Sequence, residues 1–206
     1  MGFERIHELL IAVEGWWFDL FRHVETGLGP LKSIETLSDP RDSSTYVPVR
    51  PSRAREALGA LPPHDYSTYT FVDVGSGKGR MLLIAAEYPY RGVVGIEFAP
   101  ELHQQALRNI AAYRNSKRKC GSIGSLCMDA LDFPVPDDKL VLYFFYPFGH
   151  ETMQSFLRKL DESLDRNPRD MLVIIEYADY EELFAGTRHL RLLHRRGRCR
   201  TYRSVS

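Results

Sequence analysis

Three glycines alternate through Gly75-Ser76-Gly77-Lys78-Gly79, directly after the apolar run Phe71-Val72-Asp73-Val74. A strand that enters so tight a loop and leaves as a helix belongs to an open α/β sheet. Ligands of such sheets lie beyond the carboxyl ends of the strands. Glycine is needed there because the turn demands positive φ, and because a ligand must approach the backbone with no Cβ in the way. A phosphate-cradling P-loop requires glycine at position 72 and Ser or Thr after the lysine, where this chain has Val72 and Gly79. A dinucleotide fingerprint requires a third glycine where Arg80 stands. The remaining pattern is Asp-x-Gly-x-Gly-x-Gly. Its carboxylate would crowd a pyrophosphate and suits a ligand that carries an ammonium.

The pattern around the loop agrees. Strands are expected at Thr70–Val74, Gly92–Glu97, Ile123–Met128, Leu140–Phe145 and Asp170–Tyr177. Helices are expected at Lys78–Tyr88, Pro100–Asn115, Glu151–Asp165 and Tyr180–Ala185, and residues 188–205 read as a hairpin bent near Gly197. Strands apolar on both faces and separated by helices make a mostly parallel sheet covered on two sides. Upstream, Ser52–Leu61 follows Pro51 as a helix. Residues 3–25 read as an amphipathic helix through Ile6, Leu9, Leu10, Val13, Trp16 or Trp17, Leu20, Phe21 and Val24, ended by Gly27, Gly29 and Pro30. That helix is expected to pack on the sheet or cover the ligand, with a dimer contact as the alternative. The division is residues 1–50 as helix and cap segment and 51–206 as the α/β domain.

Composition excludes several classes. Lys+Arg and Asp+Glu are 27 each, so the whole chain is not a basic nucleic-acid binder. The charge is uneven: residues 186–206 hold seven arginines and no acid. These read as the charged face of an edge hairpin or as a patch for RNA or an acidic protein. Cys120, Cys127 and Cys199 form no CxxC pair, which argues for reduced thiols and a cytoplasmic location. No cluster has metal-ligand spacing, so no metal is expected. No run reaches 18 apolar residues, so no membrane span or membrane partner is expected.

Two further acids end strands. Glu97 closes Val93-Val94-Gly95-Ile96, 24 residues after Asp73. A carboxylate there can accept both hydroxyls of a ribose; it can equally cap the helix that starts at Pro100. Asp129 follows Met128, where it can accept from an adenine amino group.

Residues 69–177 resemble the class I S-adenosylmethionine-dependent methyltransferases. The resemblance implies a Rossmann-like three-layer sandwich, with a mostly parallel seven-stranded sheet whose last strand is antiparallel and an N-terminal helical extension. It implies S-adenosyl-L-methionine as cofactor. Asp73, Gly75, Ser76, Gly77 and Gly79 would pass under its methionine part, Glu97 would hold its ribose, Phe98 would flank the adenine, and Asp129 with Ala130 would line its edge. The acceptor pocket would follow Tyr143-Phe144-Phe145, at Tyr146-Pro147-Phe148. The Pro-aromatic part matches the family pattern of N-methyltransferases, and the polar first residue is replaced by Tyr146. Tyr146 and Phe148 are the candidate catalytic residues, with Tyr146 also beside the cofactor. Ser44-Thr45-Tyr46-Val47-Pro48 is similar to a Tyr-Val-Pro segment of the small protein-lysine methyltransferases related to the ATP-synthase c-subunit enzyme, which would let Tyr46 and Pro48 cap the site. Protein lysine is therefore the first acceptor expected, a small-molecule amine the second and RNA the third. A cofactor-binding partner subunit without activity is the alternative of another class. His150, Glu176 and Tyr177 follow strands and have the chemistry to move a proton.

Overall fold

The computed structural model describes residues 13–28, 46–63, 65–113, 116–145, 148–176 and 180–205. Residues 13–22 are helical (α1), followed by α2 at Pro51–Gly59 and a 3-10 turn at Tyr66–Thr68. Then come β1 (Tyr69–Val74), α3 (Arg80–Ala85), β2 (Gly92–Glu97), α4 (Pro100–Ala112), β3 (Ile123–Cys127) and β4 (Lys139–Phe145). The chain continues with α5 (His150–Arg166), β5 (Met171–Glu176), α6 (Glu181–Ala185), β6 (Leu190–Arg196) and β7 (Cys199–Ser204).

The seven strands lie in the order β3-β2-β1-β4-β5-β7-β6. β1 to β5 are parallel, and β7, the last strand, runs antiparallel between β5 and β6. The order reverses between β1 and β4, which opens the crevice where ligands of such sheets bind. Every residue of β1 and β5 is buried. Their side chains alternate into two cores: Phe71, Tyr143 and Ile174 pack under α2 and α3, while Val72, Leu142 and Val173 pack under α5 and α6. These cores make the three-layer sandwich expected from the sequence. Asp73 lies on the α2–α3 face with Phe71, and a charge there meets an apolar wall.

Two expectations are corrected. The first helix ends at residue 22, before Gly27, because His23 takes the left-handed conformation (φ 56°). Val24 N then donates to Asp19 O at 3.1 Å and His23 N to Leu20 O at 3.4 Å, which closes the helix as a Schellman cap. Most of the described part of its apolar stripe also does not pack on the sheet, Val24 apart, and Ile6, Leu9 and Leu10 lie outside the described residues. Val13, Trp16, Trp17, Leu20 and Phe21 are exposed, and Phe18, outside the expected stripe, is the buried one. The opposite face docks because its charges find partners. Phe18 lies under the guanidinium groups of Arg22 (4.2 Å) and Arg80 (5.7 Å), and Arg22 pairs with Glu87 at 2.6 Å.

Candidate functional site

The glycine loop is built against the end of β2. Gly75 N and Ser76 N both donate to Ile96 O at 2.9 Å, and Gly77 N donates to Glu97 Oε2 at 2.7 Å. The loop amides are thus spent within the protein. A phosphate-binding loop turns such amides toward its ligand, so the sequence-level rejection of a P-loop has a structural counterpart. Gly75, Gly77 and Gly79 all have positive φ (81°, 53° and 84°). At Gly77 a Cβ would stand 2.3 Å from Tyr46 Cε2, so the Tyr46 ring lies directly on the loop. Gly95 lets the loop settle on β2, because a Cβ there would meet Ser76 Oγ at 2.5 Å.

Asp73 is 3% exposed, and no donor among the described residues meets its carboxylate. Burial, and secondly the charge of Glu97, hold it well above the usual carboxylate range. Burial also raises Glu97, against the pull of the N–H groups of Ala99, Gly77 and Phe98. Glu97 Oε1 accepts from Ala99 N at 2.9 Å. Ala99 is itself the N-cap of α4 and no side chain caps that helix, so Glu97 steadies the approach to the helix and does not make the expected cap; each carboxylate oxygen keeps lone-pair capacity for another donor. Ser76 Oγ is buried with no hydrogen-bond partner among the described residues. Two buried carboxylates and one orphaned hydroxyl beside a glycine loop have the chemistry to receive a cationic, hydroxyl-bearing ligand. The cations at hand face elsewhere: Lys78, fully buried, donates to Gly27 O at 2.7 Å.

The other expected residues are distributed as follows. Phe98 is exposed beside Glu97. Asp129 Oδ1 accepts from Leu131 N at 2.8 Å and fixes the turn after β3, and Ala130 is buried at that turn. Phe148 packs on Phe144 and Phe156, under α5 and on the opposite face from Asp73. Tyr146, Pro147 and Tyr177 lie outside the described residues. Glu176, fully buried at the end of β5, pairs with Arg53 of α2 and accepts from Tyr143 Oη at 3.0 Å.

Sequence reasoning missed the residues that fasten the cap. Arg80 Nε donates to Thr26 Oγ1 at 2.6 Å and Nη1 to Val49 O at 3.1 Å, with Asp19 3.7 Å from Nη2. Tyr46 Oη donates to Thr26 O at 2.8 Å. Asn109 of α4 clamps Glu25 by accepting from its N–H (2.8 Å) and donating to its carbonyl (2.9 Å), and it also donates to Lys78 O at 2.9 Å. The arginine in place of the third glycine was a readable signal, but nothing in the sequence marks Asn109.

Solved structures share this architecture. A Listeria monocytogenes protein assigned as an N6-adenine-specific DNA methylase superposes with a TM-score of 0.56 at 16% identity, over 81% of this chain and 53% of its own. The present chain thus spans about half of that protein's length. The Escherichia coli protein yhhF, assigned as a methyltransferase, gives 0.56 at 20% identity over 75% of this chain and 86% of its own. The chain has the fold of the class I S-adenosylmethionine-dependent methyltransferases. SMU.472, assigned as a methyltransferase and crystallised with S-adenosylhomocysteine, has the same methyltransferase fold, with a TM-score of 0.52 at 14% identity over 79% of this chain and 54% of its own. No protein-family model and no curated protein matches the sequence.

Proposed function

We propose that the chain is an S-adenosylmethionine-dependent methyltransferase acting on nitrogen, with a protein lysine as acceptor. The buried Asp73 carboxylate behind the glycine loop, with no donor among the described residues, carries this reading. The group that fits there brings an ammonium for Asp73, hydroxyls for Glu97 and an aromatic ring for the exposed Phe98. When bound, S-adenosylmethionine supplies an electrophilic methyl on a sulfonium.

The chain's own residues then bind and orient. The ammonium favours ionised Asp73, because a charge partner offsets the burial that otherwise raises its pKa. Glu97 accepts the ribose hydroxyls on its remaining lone pairs. Gly75, Ser76, Gly77 and Gly79 form the floor, Tyr46 the cover, and Asp129 with Ala130 the adenine edge. Tyr146 remains the acceptor-side assignment, by its position after β4; Phe148, packed on Phe144 and Phe156 under α5, would back that side and not face Asp73, which corrects its expected catalytic place. A lysine must lose its proton before it reacts, and a water-poor acceptor site would favour the neutral amine. Residues 1–50 act as the cap in this reading and 51–206 as the catalytic domain.

The Tyr46-Val47-Pro48 segment supports a lysine, since the Tyr46 ring lies on the loop. RNA is less supported because the hairpin arginines are engaged. Arg195 and Arg200 pair with Glu181, Arg203 with Asp170, Arg188 with Asp165 and Arg196 with Glu56. The test is to incubate the protein with methyl-labelled cofactor and a lysate. Label in a protein band, lost in Asp73→Ala, supports the proposal. Label confined to small molecules or RNA changes the acceptor. Bound cofactor with no label in any lysate that contains the acceptor replaces the enzyme by a partner subunit.

A further inference from the structure

Among the described residues nothing covers the outward face of α1. Val13, Trp16, Trp17, Leu20 and Phe21 recur at helical spacing and are 40%, 58%, 44%, 48% and 68% exposed. Trp17 stacks on Phe21 at 5.1 Å (16° between planes), and Trp16 meets Trp17 edge-on at 5.1 Å, so the side chains form one continuous ridge. Scattered surface apolar residues are ordinary, but a contiguous aromatic ridge is not.

The charges of α1 are turned the other way. Glu14 accepts from Ser52 Oγ at 2.9 Å and pairs with Arg50 at 3.3 Å. Asp19 accepts from Thr26 N (2.9 Å) and Gly27 N (2.8 Å), and Arg22 pairs with Glu87. The ridge therefore presents no charge that would repel a second copy of itself. It also offers no free arginine to anionic lipid, which a membrane-surface helix requires.

We infer that this ridge is the self-association surface of the protein and joins two copies of the chain through a two-fold axis. An isologous contact needs a patch complementary to itself, and an uncharged apolar ridge is one. The area suffices. A covered aromatic side chain removes about 150–250 Å² from water. The exposed parts of Trp16, Trp17 and Phe21, with Leu20 and Val13, then leave roughly 500 Å² per copy. Two copies reach about 1,000 Å², the lower bound of a specific interface. The same apolar spacing runs through Ile6, Leu9 and Leu10 in the sequence, outside the described residues. Because the inner face of α1 holds Arg80 through Phe18 and Asp19, the dimer joins the two caps and leaves both glycine loops intact.

Sedimentation velocity on the full chain tests this, with Trp17→Glu and Phe21→Glu as variants and Leu193→Glu as an exposed apolar control on β6. Circular dichroism and thermal midpoints check that each variant folds. The wild type and the control should sediment as dimers at about 10 µM. Each ridge variant should be monomeric there, its dissociation constant raised at least about 30-fold, as for an interface hot spot. A wild type that is monomeric up to about 100 µM overturns the inference. So do folded ridge variants that remain dimeric, which would put the interface elsewhere. Acrylamide quenching gives a second readout: tryptophans shielded in a monomer would mean that the chain covers its own ridge.

Discussion

Replacing Gly77 by alanine tests whether the cap sits on the glycine loop. At φ 53° an alanine costs about 1–2 kcal/mol for the left-handed conformation alone. Its Cβ would stand 2.3 Å from Tyr46 Cε2 and 2.8 Å from Cδ2, far inside the contact distance of about 3.5–4.0 Å. The backbone cannot yield, because Gly77 N is tied to Glu97, so the ring must leave. Its departure breaks the Tyr46–Thr26 hydrogen bond, worth about 1 kcal/mol. It also exposes a half-buried ring, worth roughly 1–2 kcal/mol. Gly77→Ala should therefore cost about 3–5 kcal/mol in urea unfolding. Tyr46→Ala alone should cost about 2–3 kcal/mol for the same lost contacts. In the double variant the clash is gone and only the left-handed cost is added. The two changes should fall short of additivity by about 2 kcal/mol. Additivity within about 0.5 kcal/mol would refute the placement of the ring on the loop.

Four more outcomes are expected. Cofactor affinity should rise with pH until Asp73 is fully ionised in the free protein, and then level off. Binding requires the ionised form, and burial keeps the free carboxyl protonated to a pH above the ordinary carboxylate range. Calorimetry across pH should show this slope in the wild type and lose the Asp73 part of it in Asp73→Asn. The stability of the free protein should show the matching sign. Asp73 is raised on folding, so its contribution is lost as pH climbs from the unfolded carboxylate value through the folded one, and Asp73→Asn should flatten that fall in urea unfolding. Glu97→Ala should weaken cofactor binding by roughly 1–3 kcal/mol, the cost of a lost charged hydrogen bond, read by calorimetry; undiminished affinity would break the ribose assignment. Arg80→Lys should not rescue Arg80→Ala, since one ammonium cannot reach Thr26, Val49 and Asp19 as the guanidinium fork does. Both should lose about 2–3 kcal/mol and become sensitive to proteolysis upstream of Pro51.

The sheet was legible because its strands are buried on both faces. Leu140–Phe145 and Met171–Ile175 are continuous apolar runs, and only a covered parallel strand accommodates them. Asp73 and Glu97 were legible because each interrupts such a run at its carboxyl end. The docking face of α1 was not. Periodicity weighs apolar side chains, whereas this helix is held by Phe18 beneath two guanidinium groups and by an Arg22–Glu87 pair 65 residues apart. Its end was hidden because His23, and no glycine, takes the left-handed position. The sequence rejected Lys78 as a P-loop lysine but assigned it no other place, and only the fold shows its ammonium against Gly27 O. The hairpin arginines left a basic patch open as the alternative to a charged edge because their acids, Glu56, Asp165, Asp170 and Glu181, are scattered through the chain.

Calorimetric titration of S-adenosylmethionine into the wild type and Asp73→Asn tests the central claim most directly. One site per chain is expected in the wild type, with affinity at least about tenfold lower in the variant, as for a lost charge-assisted hydrogen bond. A wild type that binds no cofactor, or a folded Asp73→Asn that binds it equally well, would contradict the assignment of this carboxylate and its glycine loop as the cofactor site.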